Sequence, residues 1–487
     1  MTVAAIPDDR ARADPRGACI ADKRQDLSNR QFAEAVQAVT AMFARAGLGS
    51  GDVLAIMLPN QVELVTSMFA AWRLGAAVTP VNPALTAHET RYQINDAAPT
   101  LMVADEASAQ KLHDSGPRII AASELTSPAP PEVPPPLSAD PGAPALLIYT
   151  SGTTGQPKGV ILDHASISAT ARLVADWFEM TSDARSLLVL PMFHVDGILV
   201  SVVSPLLAGG STVIGQRFDA ATFWAAVAEA RPSFFSAVPT MYARLASLPG
   251  GQPDTSSLRF AICGAAPMPA KLIGQFEQRY GVPVVEGYGQ TECTVCCTSN
   301  PVHGRRKPGT VGLPLPSVEV TVADEHDRPL PAGQAGQVIV RGPNVMRGYL
   351  RKPQQSAEVL RGGWLHTGDV GRFDDDGYLT LVDRIKDVII RGGENIYPKE
   401  IEDVFYTHPA VLEAAVVGQP DPVLGEQPVA FVVLRPGHNA SPADLIKHCR
   451  TSLAHYKLPR EVYIEKALPK NALGKFDKRA LRQRLRG

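Results

Sequence analysis

Short apolar runs alternate with amphipathic segments over residues 31–290, and this alternation constrains the fold more than any other feature. Apolar side chains recur at helical spacing in residues 31–46, and Gly47 follows where a left-handed cap is expected. Thr86 and Glu89 are spaced as a helix capping box. Further strands and helices are predicted at 53–58, 62–74, 76–81, 145–149, 187–190, 211–214, 260–263 and 282–285. Such alternation predicts an α/β protein with parallel sheets covered by helices.

Two changes in composition divide the chain into parts. Residues 128–144 are rich in proline, which predicts a stiff connector that cannot join a central strand. After Val311 the sequence turns to short strands separated by Gly, Pro and Asp turns, which indicates a β-barrel-like subdomain. The residues after Arg384 carry a strand and helix pattern of their own, so we predict a large domain at 1–383 and a small α+β domain at 384–487.

Charge and composition disfavour several classes of protein. The chain has 47 basic and 49 acidic side chains and no long run of one sign, so no nucleic-acid partner is expected. The amino terminus lacks the apolar core of a secretory signal. The apolar stretch 195–214 contains Asp196, Pro205 and the pair Gly209–Gly210, which predicts a buried helix and strand instead of a membrane span. Six cysteines are too few for a disulfide framework, so we expect a cytoplasmic protein.

A loop rich in Gly, Ser and Thr follows the apolar run 145–149 and ends at Lys158. Glycines let backbone N–H groups wrap a phosphate, hydroxyls add donors, and a lysine supplies a positive charge. Pro157 and Gly159 flank the lysine where a Walker A loop needs Gly and then Ser or Thr, so that motif is excluded. By composition alone, the loop is also typical of a flexible surface turn.

Six segments together carry more information than this loop alone. They are 149–160 (YTSGTTGQPKGV), 191–197 (PMFHVDG), 286–292 (EGYGQTE), 364–371 (WLHTGDVG), 384–395 (RIKDVIIRGGEN) and 469–475 (PKNALGK). Over nearly its whole length the chain therefore resembles the adenylate-forming superfamily of acyl- and aryl-CoA synthetases, firefly luciferase and the adenylation domains of peptide synthetases. The resemblance implies an ATP-dependent acid–thiol ligase that forms an acyl-AMP and pyrophosphate, and then transfers the acyl group to coenzyme A.

Catalytic roles are implied by the resemblance for Lys475, Glu292, Thr291 and His194. Glu292 is expected to bind Mg²⁺, which prefers hard oxygen ligands, and Thr291 to donate to the α-phosphate. Lys475 is expected to bridge the incoming carboxylate and the α-phosphate, offsetting the repulsion between two anions. The implied cofactors are ATP and Mg²⁺, with coenzyme A as co-substrate.

Further residues are implied to bind the nucleotide or coenzyme A. Asp369 is expected to accept both ribose hydroxyls, Arg384 to hold the same sugar, and Tyr288 to stack on adenine. Lys386 lies at the family's hinge, and the turn after Arg391 is expected to line the pantetheine tunnel. The full predicted set is Thr150, Ser151, Gly152, Thr153, Thr154, Gly155, Lys158, Gly264, Ala265, Ala266, Glu286, Gly287, Tyr288, Gly289, Thr291, Asp369, Arg384, Lys386, Gly392 and Gly393.

The pocket for the acid is implied to be mostly small or apolar. Malonate-specific relatives place an arginine where this chain has Gly287, so a second buried carboxylate would stay unpaired. Peptide-synthetase domains hold an amine with an aspartate where this chain has His194, and we interpret Asp196 as structural or at the pocket mouth. An apolar fatty or aryl monocarboxylic acid is therefore expected. The predicted lining is Phe193, His194, Gly197, Val238, Thr240, Gly264, Gly287 and Gly289.

Other functions remain open at this point. A fatty acyl-AMP ligase would load a carrier protein, but such relatives carry an insertion for which this chain has no surplus segment. The intact acidic and basic motif residues argue against a catalytically inactive nucleotide-binding protein, and a luciferase-type oxygenase would need an unusual substrate. Residues 469–475 match the context in which relatives are acetylated, so a lysine acetyltransferase acting on Lys475 is a candidate partner. A homodimer is left open.

Overall fold

The computed structural model describes residues 2–112, 116–125, 137, 140–151, 157–215, 217–266, 268–392, 394–470 and 476–485. Most of the proline-rich connector lies outside these residues. So do several predicted site residues, namely Gly152, Thr153, Thr154, Gly155, Gly393 and Lys475.

Strands and helices alternate as expected through the first part of the chain. The elements up to residue 188 are α1 (Ile6–Ala13), β1 (Ala18–Ala21), β2 (Asp26–Ser28), α2 (Asn29–Arg45), β3 (Val53–Met57), α3 (Val62–Arg73), β4 (Ala77–Pro80), α4 (Ala87–Ala97), β5 (Leu101–Ala104), α5 (Glu106–Ala109), β6 (Arg118–Ala121), β7 (Pro144–Ser151), β8 (Pro157–Asp163), α6 (His164–Trp177) and β9 (Arg185–Leu188). They are followed by α7 (Val195–Ile198), a π-helical turn (Leu199–Val203), α8 (Ser204–Leu207), β10 (Ser211–Ile214), α9 (Ala220–Ala230), β11 (Phe234–Ala237), α10 (Pro239–Ala246), β12 (Phe260–Cys263), α11 (Ala270–Tyr280) and β13 (Val284–Tyr288).

Short antiparallel strands dominate the next segment, as the turn-rich sequence predicts. They are β14 (Thr298–Ser299), β15 (Leu313–Pro314), β16 (Glu319–Ala323), β17 (Gly336–Arg341), β18 (Gly348–Tyr349), then α12 (Pro353–Val359), β19 (Leu365–Phe373) and β20 (Leu379–Arg384). The remaining elements are β21 (Ile389–Arg391), β22 (Glu394–Ile396), α13 (Pro398–Thr407), β23 (Val411–Asp421), β24 (Gly425–Leu434), α14 (Pro442–Cys449), β25 (Glu461–Glu465) and α15 (Lys478–Arg484).

Four sheets organise the described chain. A nine-stranded sheet has the order β15-β14-β13-β12-β11-β9-β10-β1-β2, and its strands from β13 to β1 run parallel. A seven-stranded sheet has the order β18-β8-β7-β4-β3-β5-β6, with β7, β4, β3, β5 and β6 parallel. Strands β16, β17, β19 and β20 form an antiparallel sheet. The last five strands form a separate sheet that packs its own apolar core against α13 and α14.

Local sequence signals account for the helices that the sequence predicts. Thr86 caps α4 through a capping box with Glu89, as expected. Helix α3 is buried at all of its positions, and the Trp72 indole N–H donates to the carbonyl of Ala145 at 2.8 Å. A helix without a polar face is stable only inside a core. The stretch 195–214 forms a helical segment followed by β10, as predicted, and every helix of the described residues is too short or too polar to span a bilayer.

Several strands were not predicted, among them β1, β5, β8 and β11. Strand β8 begins at Pro157 and pairs antiparallel with β7, although the sequence there indicates a loop. Strand β11 lies between β9 and β12 in the parallel sheet, although Pro232 precedes it closely and Pro239 follows it. In β8, pairing with long-range neighbours outweighs the weak strand propensity of Pro157 and Gly159.

Candidate active site

Asp369 is the centre of a buried polar network at the junction of two sheets. Antiparallel pairing of β19 with β20 places it directly opposite Arg384, whose Nε lies 2.9 Å from Asp369 Oδ1. The Tyr288 hydroxyl donates to Oδ2 at 2.7 Å, and Gln290 Nε2 donates to the same oxygen at 2.6 Å. Hydrogen bonds to a carboxylate hold it in one orientation. The carboxylate is therefore oriented by the protein itself, beside a half-exposed guanidinium.

Tyr288 contributes its hydroxyl group to this network. From sequence, its ring is expected to stack on adenine. Burial and the neighbouring Asp369 raise the pKa of this phenol well above its usual value, so it stays a neutral donor. The residue is only 8% exposed. Sequence analysis assigns no role to Gln290. Its side-chain amide donates to Asp369, as the Tyr288 hydroxyl does, and also to the carbonyl of Thr367 at 2.9 Å.

Close packing explains the glycines next to Tyr288. A Cβ atom at Gly289 would lie 2.2 Å from the carbonyl oxygen of Val295, and one at Gly287 would lie 3.3 Å from that of Thr298. Gly197 is similarly restricted, at 2.7 Å from the carbonyl oxygen of Pro191. At these three positions the absent side chain faces protein, so the predicted lining role cannot rest on room left by a missing side chain.

Glu292 lies in a short 3-10 turn and is held by a residue that the sequence analysis misses. The Tyr349 hydroxyl donates to Glu292 Oε1 at 3.0 Å, and the backbone N–H of Met346 donates to the Glu292 carbonyl at 2.9 Å. Burial and Glu292 together raise the pKa of Tyr349, so this hydroxyl is also a neutral donor. The Lys158 ammonium lies 4.9 Å from the centre of the Tyr349 ring, within range of a cation–π contact.

The glycine-rich loop connects the two strands of a hairpin. Strands β7 and β8 pair Thr150 with Lys158 and Tyr149 with Gly159, so Thr150 and Lys158 are brought opposite each other. A Cβ atom at Gly159 would lie 3.1 Å from the Tyr149 ring, which explains the glycine. The Tyr149 hydroxyl donates to Asp96 at 2.7 Å and ties the hairpin to α4. Strand β18 then pairs Tyr349 with Val160, which places Tyr349 beside Lys158.

The predicted acid-binding residues lie at the carboxyl ends of β9, β11 and β12. His194 precedes α7, with its ring 4.5 Å from that of Phe193. Val238 precedes α10, which contains Thr240. Gly264 follows β12, and its backbone N–H donates to the carbonyl of Ala237 at 3.3 Å. Carboxyl ends of parallel strands are where α/β sheets bind ligands.

The segment after β12 contains a residue with a strained backbone conformation. The same segment is hydrogen-bonded to a buried glutamate. Ala265 has a φ of 67°, a left-handed conformation that costs an alanine about 1 kcal/mol or more. Glu286 Oε1 accepts the backbone N–H of Met268 at 2.8 Å, while its Oε2 has no partner among the described residues. Burial raises the pKa of Glu286 to about 7. Its side chain thus supports the loop that contains Gly264, Ala265 and Ala266.

A hydrogen bond and an ion pair connect the end of β20 and the turn after it to later elements of the chain. Asp387, in the 3-10 turn after β20, lies 2.6 Å from a guanidinium nitrogen of Arg482 in α15. Asp383 accepts the backbone N–H of Lys399 at 2.8 Å. Lys386 lies in the same turn, and burial together with Arg384 lowers its pKa. Gly392 adopts a φ of 59° in the turn between β21 and β22.

Metal-binding clusters are not found in the described part of the chain, where no three His, Cys, Asp or Glu side chains could together hold an ion. Cys293, Cys296 and Cys297 are buried free thiols. They pack in the large core.

Comparison with known proteins identifies the family. Residues 7–350 match the family described as AMP-binding enzyme, and residues 400–475 match the AMP-binding enzyme C-terminal domain. The chain belongs to the AMP-binding enzyme family. It is similar to the feruloyl-CoA synthase of an Amycolatopsis species, at 35% identity over 98% of this chain and 97% of that protein. It is also similar to the long-chain-fatty-acid–CoA ligase of Bacillus subtilis strain 168, at 35% identity over 89% of this chain and 86% of the ligase.

A solved structure extends this AMP-binding enzyme comparison to three dimensions. The o-succinylbenzoate coenzyme A synthetase MenE of Bacillus subtilis, in complex with ATP and magnesium ion, matches with a TM-score of 0.89 and 31% identity. The match covers 99% of each chain. Together with the relatives, it confirms the predicted fold class and the predicted activity, that of an AMP-forming acyl-CoA synthetase.

Proposed function

We propose that this AMP-binding enzyme activates a largely apolar aryl or fatty monocarboxylic acid at the junction of β13, β19 and the β7–β8 hairpin. The observation that carries the proposal is the network in which Tyr288, Gln290 and Arg384 hold the Asp369 carboxylate. Asp369 and Arg384 bind the ribose hydroxyls of ATP. The glycine-rich loop and Lys158 bind the phosphates.

Glu292 holds Mg²⁺ together with the phosphates of ATP. Mg²⁺ usually binds one or two carboxylates and keeps phosphate and water as its other ligands, so a single carboxylate fits. The Glu292 carboxylate accepts a hydrogen bond from the neutral Tyr349 hydroxyl. This bond orients the carboxylate and adds no positive charge beside it. When bound, the ion draws negative charge from the triphosphate.

Adenylation requires that two anions approach each other. Thr291 donates to the α-phosphate, and Lys475 bridges this phosphate and the substrate carboxylate, which lowers their repulsion. A general base is unnecessary because a carboxylic acid is already ionised at neutral pH. His194 lies at the acid end of the site and orients the carboxylate.

Thioester formation requires Lys475 to withdraw and coenzyme A to enter. The small domain, residues 384–487, rotates about Lys386, and Gly392 and Gly393 then line the path of the pantetheine chain. The hydrogen bond from the Lys399 backbone N–H to Asp383, which joins the small domain to the large one, breaks in this step.

The chemical class of the substrate acid is inferred from the residues predicted to line its pocket and from the similar proteins. Gly287 stands where malonate-specific relatives have an arginine, so nothing at that position would pair with a second carboxylate. The relatives named for feruloyl-CoA and long-chain fatty acids support an aryl or fatty acid. Coenzyme A is favoured over a carrier protein as the acceptor, since the insertion of carrier-loading relatives is missing.

We also propose where the enzyme works and how it is regulated. The enzyme works in the cytoplasm, where acetylation of Lys475 would remove the positive charge that adenylation needs. A homodimer is compatible with the proposed site, which uses residues of one chain.

AMP release from ATP with a panel of fatty, aryl and dicarboxylic acids, with and without coenzyme A, tests the proposed function. We expect release that depends on both an apolar monocarboxylic acid and coenzyme A. Full turnover without coenzyme A, or a preference for a dicarboxylic acid, would contradict it.

A further inference from the structure

Asp196 is the carboxylate nearest to the open space in front of Gly264. A Cβ atom built at Gly264 meets no described atom within 4 Å except Asp196 Oδ2, at 3.6 Å. By contrast, Gly197, Gly287 and Gly289 are pressed against backbone. The side of Gly264 where a side chain would begin therefore faces unfilled space. Asp196, two residues after the predicted acid-binding residue His194, lies at the edge of that space.

One oxygen of this carboxylate lacks a hydrogen-bond partner among the described residues. Asp196 Oδ1 is fully enclosed, yet no described donor reaches it with ordinary hydrogen-bond geometry. Ser236 lies close enough to favour the ionised carboxylate, but its own hydroxyl is also buried without a hydrogen bond of ordinary geometry. Buried polar groups in folded proteins are nearly always paired, because an unmade hydrogen bond costs about 1 to 3 kcal/mol.

The described surroundings do not supply a compensating positive charge. Burial raises the pKa of Asp196 to about 6, and no described cation opposes this rise. The ionisable groups on which Asp196 acts are Tyr242, Cys263 and Cys296, whose own pKa values are raised so that each stays neutral. The Tyr242 hydroxyl already donates to the carbonyl of Ile262 at 2.7 Å. None of the described residues thus supplies a donor to Asp196 Oδ1.

We infer that Asp196 is a specificity-determining residue that accepts a hydrogen bond from an amino or hydroxyl group on the otherwise apolar acid substrate. This inference rests on the proposed function and deepens it by naming a substrate class. A pocket built to accept a hydrogen bond discriminates strongly against an analogue that lacks the donor, because its own polar group is then left unpaired. Of the two interpretations made from sequence, structural or at the pocket mouth, this role agrees with the second.

Matched pairs of acids test the inference directly. The pairs are benzoate with 4-aminobenzoate, cinnamate with 4-hydroxycinnamate, and hexanoate with 6-aminohexanoate, each assayed by AMP release with coenzyme A. For at least one pair, we expect the donor-bearing acid to have a kcat/KM at least about tenfold higher. Equal kcat/KM within every pair, or a preference for the plain acid, would overturn the role of Asp196. Absence of AMP release with every acid would instead defeat the proposed function.

Two variants separate recognition from folding. Asp196→Leu has a similar volume and removes the acceptor, so it should abolish the preference within the pair. Asp196→Asn keeps one acceptor oxygen, so it should retain a preference for a hydroxyl donor and lose any extra preference for an ammonium group. Asp254→Asn removes an exposed carboxylate that pairs with Arg231 at the surface, and it should leave the selectivity unchanged.

Thermal unfolding of each variant accompanies the assay. A folded Asp196→Leu enzyme that keeps the wild-type selectivity would overturn the inference. If Asp196→Leu does not fold, the wild-type pairs and Asp196→Asn decide the question by the same criteria.

Discussion

The Tyr288 hydroxyl donates to Asp369 across 81 residues of sequence, at 2.7 Å, and so joins the end of β13 to β19. Two of the sequence motifs therefore meet in one hydrogen bond. The same Asp369 pairs with Arg384 on the neighbouring strand, which carries the contact on to the start of the small domain. In the proposed site, nucleotide binding and the position of the small domain are thus connected through a single carboxylate.

Replacing Tyr288 with phenylalanine tests this connection. The ring is kept, so any stacking on adenine survives, but Asp369 Oδ2 retains only Gln290 as a donor. A hydrogen bond to a charged group is worth about 1.5 to 3 kcal/mol, so we expect kcat/KM for ATP to fall about 10- to 100-fold. Steady-state kinetics with saturating acid measures this. Tyr378→Phe, which removes a hydroxyl bonded to the Arg305 carbonyl, is the control and should have little effect.

Tyr349 gives a second prediction, because its ring and its hydroxyl contact different groups. Tyr349→Phe removes the hydrogen bond to Glu292 but keeps the cation–π contact with Lys158, whereas Tyr349→Leu removes both. We expect Tyr349→Phe to raise the Mg²⁺ concentration needed for half-maximal activity. Tyr349→Leu should in addition weaken ATP binding, by a factor of about 2 to 5. Identical magnesium titrations for the wild type and both variants would show that Tyr349 does not orient Glu292.

Glu286 predicts a pH dependence of stability. Burial raises its pKa in the folded state to about 7, above its usual value of 4.5. As the pH rises from 4.5 to 7, the unfolded chain ionises this group first, so the folded state loses stability over that window, by about 3 kcal/mol at most. Glu286→Gln removes this loss, so its apparent Tm relative to the wild type should rise between pH 5 and pH 8. A constant difference over that range would contradict the assignment.

Lys475 predicts that the two half-reactions separate. Lys475→Ala should nearly abolish adenylation, because the carboxylate and the α-phosphate lose their bridging charge. Thioester formation from preformed acyl-AMP and coenzyme A should remain largely intact, since Lys475 has withdrawn by then. Single-turnover assays of each step measure this, and an equal loss in both would contradict the rotation of the small domain. Treatment of the wild type with a lysine acetyltransferase should reproduce the defect if Lys475 is its target.

Much of the large domain could be predicted because its signals are local. Helix α2 follows from apolar spacing, and the start of α4 follows from the capping residues Thr86 and Glu89. Strand β8 could not be predicted, because Pro157 and Gly159 indicate a loop and only pairing with β7 makes them a strand. Its register depends on contacts with distant residues, which no local pattern contains.

Part of the candidate site could also be predicted from the sequence. Motif spelling singled out Asp369, Arg384 and Glu292, and the structure places Asp369 and Arg384 in contact. Tyr349 was missed because a lone tyrosine after a glycine has no distinguishing pattern, and its role depends on the pairing of β18 with β8. The orientation of Asp196 toward Gly264 depends on how α7 packs over the sheet, which spacing does not encode.

Trapping the intermediate tests the central claim most directly. The enzyme is incubated with a saturating acid, Mg²⁺ and ATP labelled at the α-phosphate, without coenzyme A, and the products are separated after a single turnover. We expect labelled acyl-AMP to form with an equal amount of pyrophosphate, and to convert to labelled AMP and acyl-CoA when coenzyme A is added. Formation of ADP, or an acyl-AMP that coenzyme A does not consume, would contradict the account.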